Sequence, residues 1–302
     1  MSTYPDYPER VTVVEVGLRD GLQNERQVIP MGVKQSLLHR LERTGLKTIE
    51  LTGFVHPLWV PQLADAEQML AEHKPVKGIR YPVLVPNLTG MQRALSAGAS
   101  EIALFTAASE GFNQKNINCS IEESLQRSTP VIELAKANNM RVRGYISCVL
   151  GCPIEGKIEV SEVVRVAERL YAMGCDEISL GDTIGVGTAL KARQMLEAVA
   201  ANIPMQQLAV HFHDTNGQAL ANILACLEAG VQVVDSSVAG LGGCPYAPGA
   251  TGNIATEDVV YMLQGMGIET GINLDALVAA GRFISGALGR TNASAVGRAW
   301  KL

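Results

Sequence analysis

Eight runs of β-branched and aliphatic residues alternate with amphipathic stretches of helical length, and that alternation restricts the chain to very few folds. The strand-like runs are VTVVEVG (11–17), TIELTG (48–53), RYPVLVP (80–86), EIALFTA (101–107), RVRGYISCVLG (141–151), DEISLGDT (176–183), LAVHFHD (208–214) and VQVVDSSVAG (231–240). Between them lie segments such as GVKQSLLHRLERTG, IEESLQRSTPVIELAKANN, VSEVVRVAERLYAMG and NGQALANILACLEAG, three of which close on a glycine suited to a helix C-cap. Strict βα alternation implies a parallel sheet, because each crossover helix returns the next strand to the same direction. Eight pairs in a chain of 302 residues match a closed (β/α)8 TIM barrel better than a doubly wound sheet. The stretches GLGGCP and GVGTAL both fail G-x-G-x-x-G, and no G-x-x-x-x-G-K-[ST] loop occurs, so no nucleotide cofactor is expected. TEDVVYMLQGMG reads as the closing helix and NLDALVAAGRFISGALG as one more. Residues 1–302 are therefore read as a single α/β barrel domain, with 268–302 a C-terminal helical extension.

Composition narrows the partners. Hydrophobic residues make up 47% of the chain, enough to bury a large core. Lys plus Arg total 25 against 30 Asp plus Glu, so there is no broad cationic field for nucleic acid or anionic membrane. No run approaches the ~18 apolar residues of a membrane helix. The start, MSTYPDYPER, has neither a signal core nor transit character, which points to the cytoplasm. The six cysteines are scattered and form no C-x-x-C, so free thiols are expected and a structural zinc site is not.

In such a barrel, chemistry belongs at the C-terminal ends of the strands. The first strand leads into GLRDGLQNE, with Arg19, Asp20, Gln23 and Asn24; the second carries Glu50; the sixth ends in Asp182; the seventh holds His211, His213 and Asp214. Period two puts His211 and His213 on one side of their strand, pointing into the barrel mouth, with Val210 and Phe212 toward the helices. An H-x-H pair there is a natural metal chelate, the alternative being two hydrogen-bonded core histidines. Glu50 faces inward between Ile49 and Leu51 and needs a cationic partner, for which Arg19 is the candidate, in a functional or a purely structural pair. Asp20 is either a site carboxylate or an Asp-Gly turn. Cys244 lies in the glycine-rich loop between 240 and 252, as an incidental small residue or as a thiol that moves protons when the loop closes. Asn253, at the end of that loop, is a ligand or a plain N-cap. No lysine lies late on a predicted strand among apolar neighbours, so a Schiff base has no candidate and metal assistance is the better route to carbon–carbon chemistry.

The stretches VVEVGLRDGLQNE, KNINCSIEES, RGYISCVLGCP, GCDEISLGDTIGVGT, VHFHDTNGQALAN and VDSSVAGLGGCPYAPGATGNIATEDVVYML closely resemble the 3-hydroxy-3-methylglutaryl-CoA lyase family, nearly end to end. R-D-G-x-Q and H-x-H are shared with the wider metal-dependent aldolase and synthase barrels, including isopropylmalate and homocitrate synthases. The cysteine-containing glycine loop is more specific. The resemblance implies a divalent cation, Mg2+ or Mn2+, held by Asp20, His211, His213 and Asn253. It also implies that Arg19 neutralises the thioester oxygen, that Glu50 supports Arg19 and that Cys244 takes part in proton transfer. Gln23 and Asp182 are candidate substrate contacts, and Lys115, in GFNQKN, is a candidate for the CoA phosphates. One departure is Leu18, where many members have proline.

The implied reaction is metal-dependent cleavage of 3-hydroxy-3-methylglutaryl-CoA to acetoacetate and acetyl-CoA, in leucine degradation and ketone-body formation, by a homodimer. Alternatives are the same chemistry on a longer branched 3-hydroxyglutaryl-CoA, a condensing synthase, and a non-catalytic barrel that binds an acyl-CoA.

Overall fold

All eight predicted strand segments enter one parallel sheet in the computed structural model, which describes residues 7–25, 27–243 and 252–301. Cys244 lies outside the described residues. The strands are β1 (Thr12–Glu15), β2 (Thr48–Ile49), β3 (Thr52–Gly53), β4 (Val83–Leu84), β5 (Glu101–Ala107), β6 (Arg141–Ser147), β7 (Glu177–Asp182), β8 (Leu208–Phe212) and β9 (Val233–Ser236). Their order is β2-β1-β9-β8-β7-β6-β5-β4-β3. The two ends of that order are the two halves of one predicted strand, 48–53. Between them the Glu50 amide donates to Glu15 O at 2.8 Å and the Leu51 amide to Pro82 O at 2.9 Å. One segment thus pairs with β1 on one side and β4 on the other, and the barrel closes on itself.

Helices cover the outside: α1 (Met31–Glu42), α2 (Ala66–Glu72), α3 (Leu88–Ser96), α4 (Glu110–Ile117), α5 (Ile121–Ala137), α6 (Val160–Ala172), α7 (Ala189–Ala200), α8 (Ala219–Glu228) and α9 (Thr256–Gly265). Two more, α10 (Leu274–Leu288) and the short α11 (Ala295–Ala299), follow near the C-terminus. The longer ones are built on an apolar stripe. In α6 the spacing of Val163, Val166, Ala167 and Leu170 puts all four on one buried face. Burying each of the valines and the leucine stabilises by about 1.5–3 kcal/mol. The start of α5 is set by a capping box, in which Ser120 accepts from the Glu123 amide and Glu123 accepts from the Ser120 amide. None of the described helices is long and apolar enough to cross a membrane.

The barrel interior is unusually charged. At its N-terminal end Arg80 pairs with Glu101 at 3.1 Å, Arg141 with Glu177 at 3.3 Å, and the buried Arg143 with Glu177 at 2.7 Å. For the buried Arg143, Glu101 and Glu177 this pairing is what makes the charge tolerable, since an isolated buried one would cost several kcal/mol.

Several strands end earlier than their apolar runs predict, three of them at a marked change of backbone conformation. β1 gives way at Gly17 to a π-helical turn, Gly17–Gly21. β6 stops at Ser147 because Cys148 is left-handed, with φ 63°. β9 stops at Ser236 and is followed by a 3-10 turn, Val238–Gly240, in which Ala239 has φ 58°. The described cysteines 119, 148, 152, 175 and 226 are all buried, and none of them is in a disulfide.

Candidate active site

The turn Gly17–Gly21 delivers Arg19 and Asp20 together to the C-terminal end of the barrel. Its bare glycines let it sit where it does: a Cβ on Gly17 would stand 2.6 Å from Glu15 Oε1 and one on Gly21 2.6 Å from Ser237 Oγ, so either methyl would push a neighbour aside. Arg19 is 6% exposed. Its Nη1 donates to Asp20 Oδ1 at 2.7 Å and its Nη2 pairs with Glu50 Oε2 at 2.8 Å. The predicted Arg19–Glu50 pair is therefore present, and the fully buried Glu50 is the inward-facing residue of its strand.

His211 on β8 and His213 just beyond it present their rings 5.7 Å apart, both buried. His211 Nε2 lies 3.8 Å from Asp20 Oδ2. Asn253 donates from Nδ2 to the same Asp20 oxygen at 2.8 Å and to Leu241 O at 3.1 Å, leaving Oδ1 as its remaining ligand atom. Asp20, His211 and His213 each offer a ligand atom, all within 4.8 Å of one another. The four residues expected around a cation thus meet, three as a potential metal cluster and Asn253 through Asp20.

Their protonation states suit a cation. Burial alone would raise Asp20, but Arg19, His211 and His213 outweigh it and hold the carboxyl well below its ordinary value. Burial, then the neighbouring His211, pushes His213 down to about 4, so its imidazole is neutral at pH 7. His213 Nδ1 is buried and finds no hydrogen-bond partner among the described residues. An ionised carboxylate, a neutral imidazole and an orphaned ring nitrogen form the donor set a divalent cation requires.

A second set of residues, which strand-end reasoning missed, ties this cluster to the barrel interior. Asp235 Oδ2 faces His211 Nδ1 at 3.1 Å and accepts from Ser179 Oγ at 2.8 Å, while its Oδ1 pairs with Arg143 Nη2 at 2.6 Å. Burial would raise Asp235, yet Arg143 and His211 keep it below its usual value. Being ionised, it can only accept, so His211 Nδ1 donates to it, and Nε2 is the ring nitrogen left to face Asp20. Arg143 Nη1 also donates to Tyr145 OH at 3.0 Å, and Tyr145 donates to Glu50 Oε2 at 3.2 Å. An unbroken chain, Arg19–Glu50–Tyr145–Arg143–Asp235–His211, therefore joins the guanidinium to the imidazole. The signal was there: Asp235 interrupts an apolar strand as Glu50 does, and Arg143 and Tyr145 share one face of β6 by period two.

The other expected residues are placed as follows. Gln23 is half-buried after the Arg19 turn and borders a cleft of about 210 Å³ that Asn24, Trp59 and Pro61 also line. Asp182 ends β7 fully buried, accepting from the amides of Val186 at 3.2 Å and Gly187 at 2.8 Å, so its carboxylate clamps the β7–α7 loop. Lys115 is exposed on α4.

A profile of the HMGL-like family matches residues 10–284. The chain belongs to that family. It is 57% identical over 293 residues to the mitochondrial hydroxymethylglutaryl-CoA lyase of Gallus gallus, covering 97% of this chain and 98% of that one. Among solved structures, the hydroxymethylglutaryl-CoA lyase of Pseudomonas aeruginosa superposes with a TM-score of 0.95 at 54% identity, covering 97% of this chain and 98% of that one. An HMG-CoA lyase from Acinetobacter baumannii in complex with coenzyme A and 3-methylmalate gives a TM-score of 0.94 at 36% identity, covering 99% and 97%. Members of the family carry both mitochondrial and cytoplasmic in their names. Family membership makes this chain a carbon–carbon lyase and makes the cluster at the barrel mouth its candidate centre.

Proposed function

We propose that this lyase splits 3-hydroxy-3-methylglutaryl-CoA into acetoacetate and acetyl-CoA, using a divalent cation, Mg2+ or Mn2+. The observation that carries the proposal is the convergence of Arg19 and the Asp20–His211–His213 cluster on a single carboxylate: Asp20 touches the guanidinium with one oxygen and faces the imidazole with the other. Asp20, His211, His213 and Asn253 would hold the cation, which when bound supplies a Lewis acid for the substrate's hydroxyl and carboxylate oxygens.

The residues divide the remaining work. The C2–C3 bond breaks, its electron pair stays on C2 as a thioester enolate, and C3 becomes the ketone carbon of acetoacetate. Arg19, permanently charged and held rigid by Glu50, stabilises the enolate oxygen as its charge grows. The tertiary hydroxyl proton passes to Asp20, while Asp235 orients the His211 imidazole beside it through Nδ1. Cys244, by resemblance to the family, returns a proton to C2. Gln23, which borders the cleft after the Arg19 turn, and Lys115, exposed on α4, are assigned to substrate contact by their positions. Asp182 contributes by shaping the β7–α7 loop rather than by touching the acyl group. On this reading the enzyme serves leucine degradation in the cytoplasm as a homodimer.

The test is acetoacetate release from 3-hydroxy-3-methylglutaryl-CoA, alongside a longer branched homologue, with and without EDTA and in Cys244→Ala. Preferential cleavage of the first thioester, lost on chelation and restored by Mg2+ or Mn2+, supports the proposal. Turnover indifferent to both EDTA and Cys244→Ala removes the mechanism, and preference for the longer substrate removes the substrate assignment.

A further inference from the structure

Glu15 is fully buried in the barrel, has no cationic partner among the described residues, and lies outside the cluster assigned to the reaction. A carboxylate in such a place is costly unless its oxygens are satisfied, and these are satisfied by three different segments. Oε1 accepts from the Gly17 amide at 2.8 Å and from the Val238 amide at 2.9 Å; Oε2 accepts from Thr256 Oγ1 at 2.7 Å.

Each of those segments delivers part of the site. Gly17 opens the turn that carries Arg19 and Asp20. Val238 opens the turn leading to Leu241, whose carbonyl accepts from Asn253. Thr256 follows Asn253 by three residues and starts α9. A second buried carboxylate, Glu257, accepts from the amide of the left-handed Ala239 at 2.9 Å, and the Ala239 carbonyl accepts from the Ala293 amide at 3.1 Å. The Val238–Gly240 turn is thus held in an unfavourable conformation from both sides. Asp20 and Asn253 meet at 2.8 Å across the space these anchors define.

We propose that Glu15 is a positioning residue for the lyase reaction: its one carboxylate sets the spacing between the Arg19–Asp20 turn and the Asn253 segment. The inference rests on the proposed cation-dependent cleavage. It predicts that shortening the side chain damages the cation site and the chemical step more than it damages substrate binding. An amide of the same length keeps a carbonyl oxygen for the two backbone donors and meets Thr256 Oγ1 with its NH2, so Glu15→Gln is the conservative variant. Glu15→Asp withdraws both oxygens by one methylene and cannot span all three donors.

The experiment measures Mn2+ affinity by electron paramagnetic resonance, which needs no turnover, together with kcat and KM, in wild type, Glu15→Gln and Glu15→Asp. The expected result for Glu15→Asp is at least about tenfold weaker Mn2+ binding and an ~30-fold lower kcat with KM within about threefold of wild type. Glu15→Gln is expected to recover both to within about fivefold. Should Glu15→Asp fail to fold, Gly17→Ala presses a methyl on the same Oε1 and Thr256→Val removes the third donor; each is expected to lower Mn2+ affinity and kcat together. A folded Glu15→Asp with wild-type affinity and kcat overturns the inference, as does activity that falls only in proportion to the folded fraction. A wild-type protein that binds no Mn2+ or leaves the thioester intact overturns the proposed function, and the inference with it.

Discussion

Replacing Asp235 by asparagine preserves shape and inverts a proton. In the native site Oδ1 is bound to Arg143 Nη2 at 2.6 Å, while Oδ2 faces Ser179 Oγ at 2.8 Å and His211 Nδ1 at 3.1 Å. An asparagine must keep its carbonyl toward Arg143, because its NH2 there would face guanidinium donors. The NH2 then takes the place of Oδ2 and donates to His211 Nδ1, so the ring proton moves to Nε2, the nitrogen 3.8 Å from Asp20. The lone pair a cation needs is lost, although no side chain has moved. Partners of this kind are worth about 10–100-fold in metal affinity. Arg143 also loses a charged partner and keeps only Glu177 at 2.7 Å, and breaking a buried pair costs about 3–5 kcal/mol. Because the carbonyl still accepts from Arg143, the lower end of that range is expected. Mn2+ titration and urea denaturation of Asp235→Asn read the two effects separately. If the variant is destabilised but binds Mn2+ within about threefold of wild type, less than the tenfold floor for such partners, the tautomer argument is refuted.

Arg19→Lys keeps the charge but cannot reach Asp20 and Glu50 with two separate nitrogens. It is expected to lower kcat by about 10²–10³ with little change in KM, by steady-state kinetics. Dialysis against EDTA is expected to abolish acetoacetate formation and to lower the melting temperature, with Mn2+ restoring both; an unchanged melting temperature would speak against the Asp20–His211–His213 cluster as a cation site. Burial pushes the Glu15 carboxyl up to about 7 and that of Glu257 up to about 8, from an ordinary 4.5. Between the ordinary and the raised values the folded protein binds more protons than the unfolded chain, so their contribution to stability is fully present below pH 4.5 and lost as pH rises through about 7 and 8. Glu257→Gln is expected to flatten that decline by more than about 1 kcal/mol between pH 6 and pH 9, measured by urea denaturation; equal slopes in the two proteins would count against it.

Much of this protein is determined one residue at a time. The βα alternation dictates a parallel sheet, because a strand followed by a helix has no other short route back to the sheet, and the count of eight pairs favours its closure into a barrel. Period two alone sends His211 and His213 to the same face and Glu50 inward, and a buried carboxylate alone demands a cation such as Arg19. What local pattern cannot supply is the partner across the barrel. Asp235 on β9 reaches Arg143 on β6, two strands that are not neighbours in the sheet, and only closure of the ring brings their side chains to 2.6 Å. The same closure splits 48–53 between two partners. It also lets Glu15 collect donors more than 220 residues away. Asp182, a plausible site carboxylate by position, turns instead toward the amides of its own following loop, a local contact that strand alternation does not specify. A strand's alternation specifies which side a residue faces; which charge waits on that side is decided by how the strands tilt and close, and that is a property of the whole barrel.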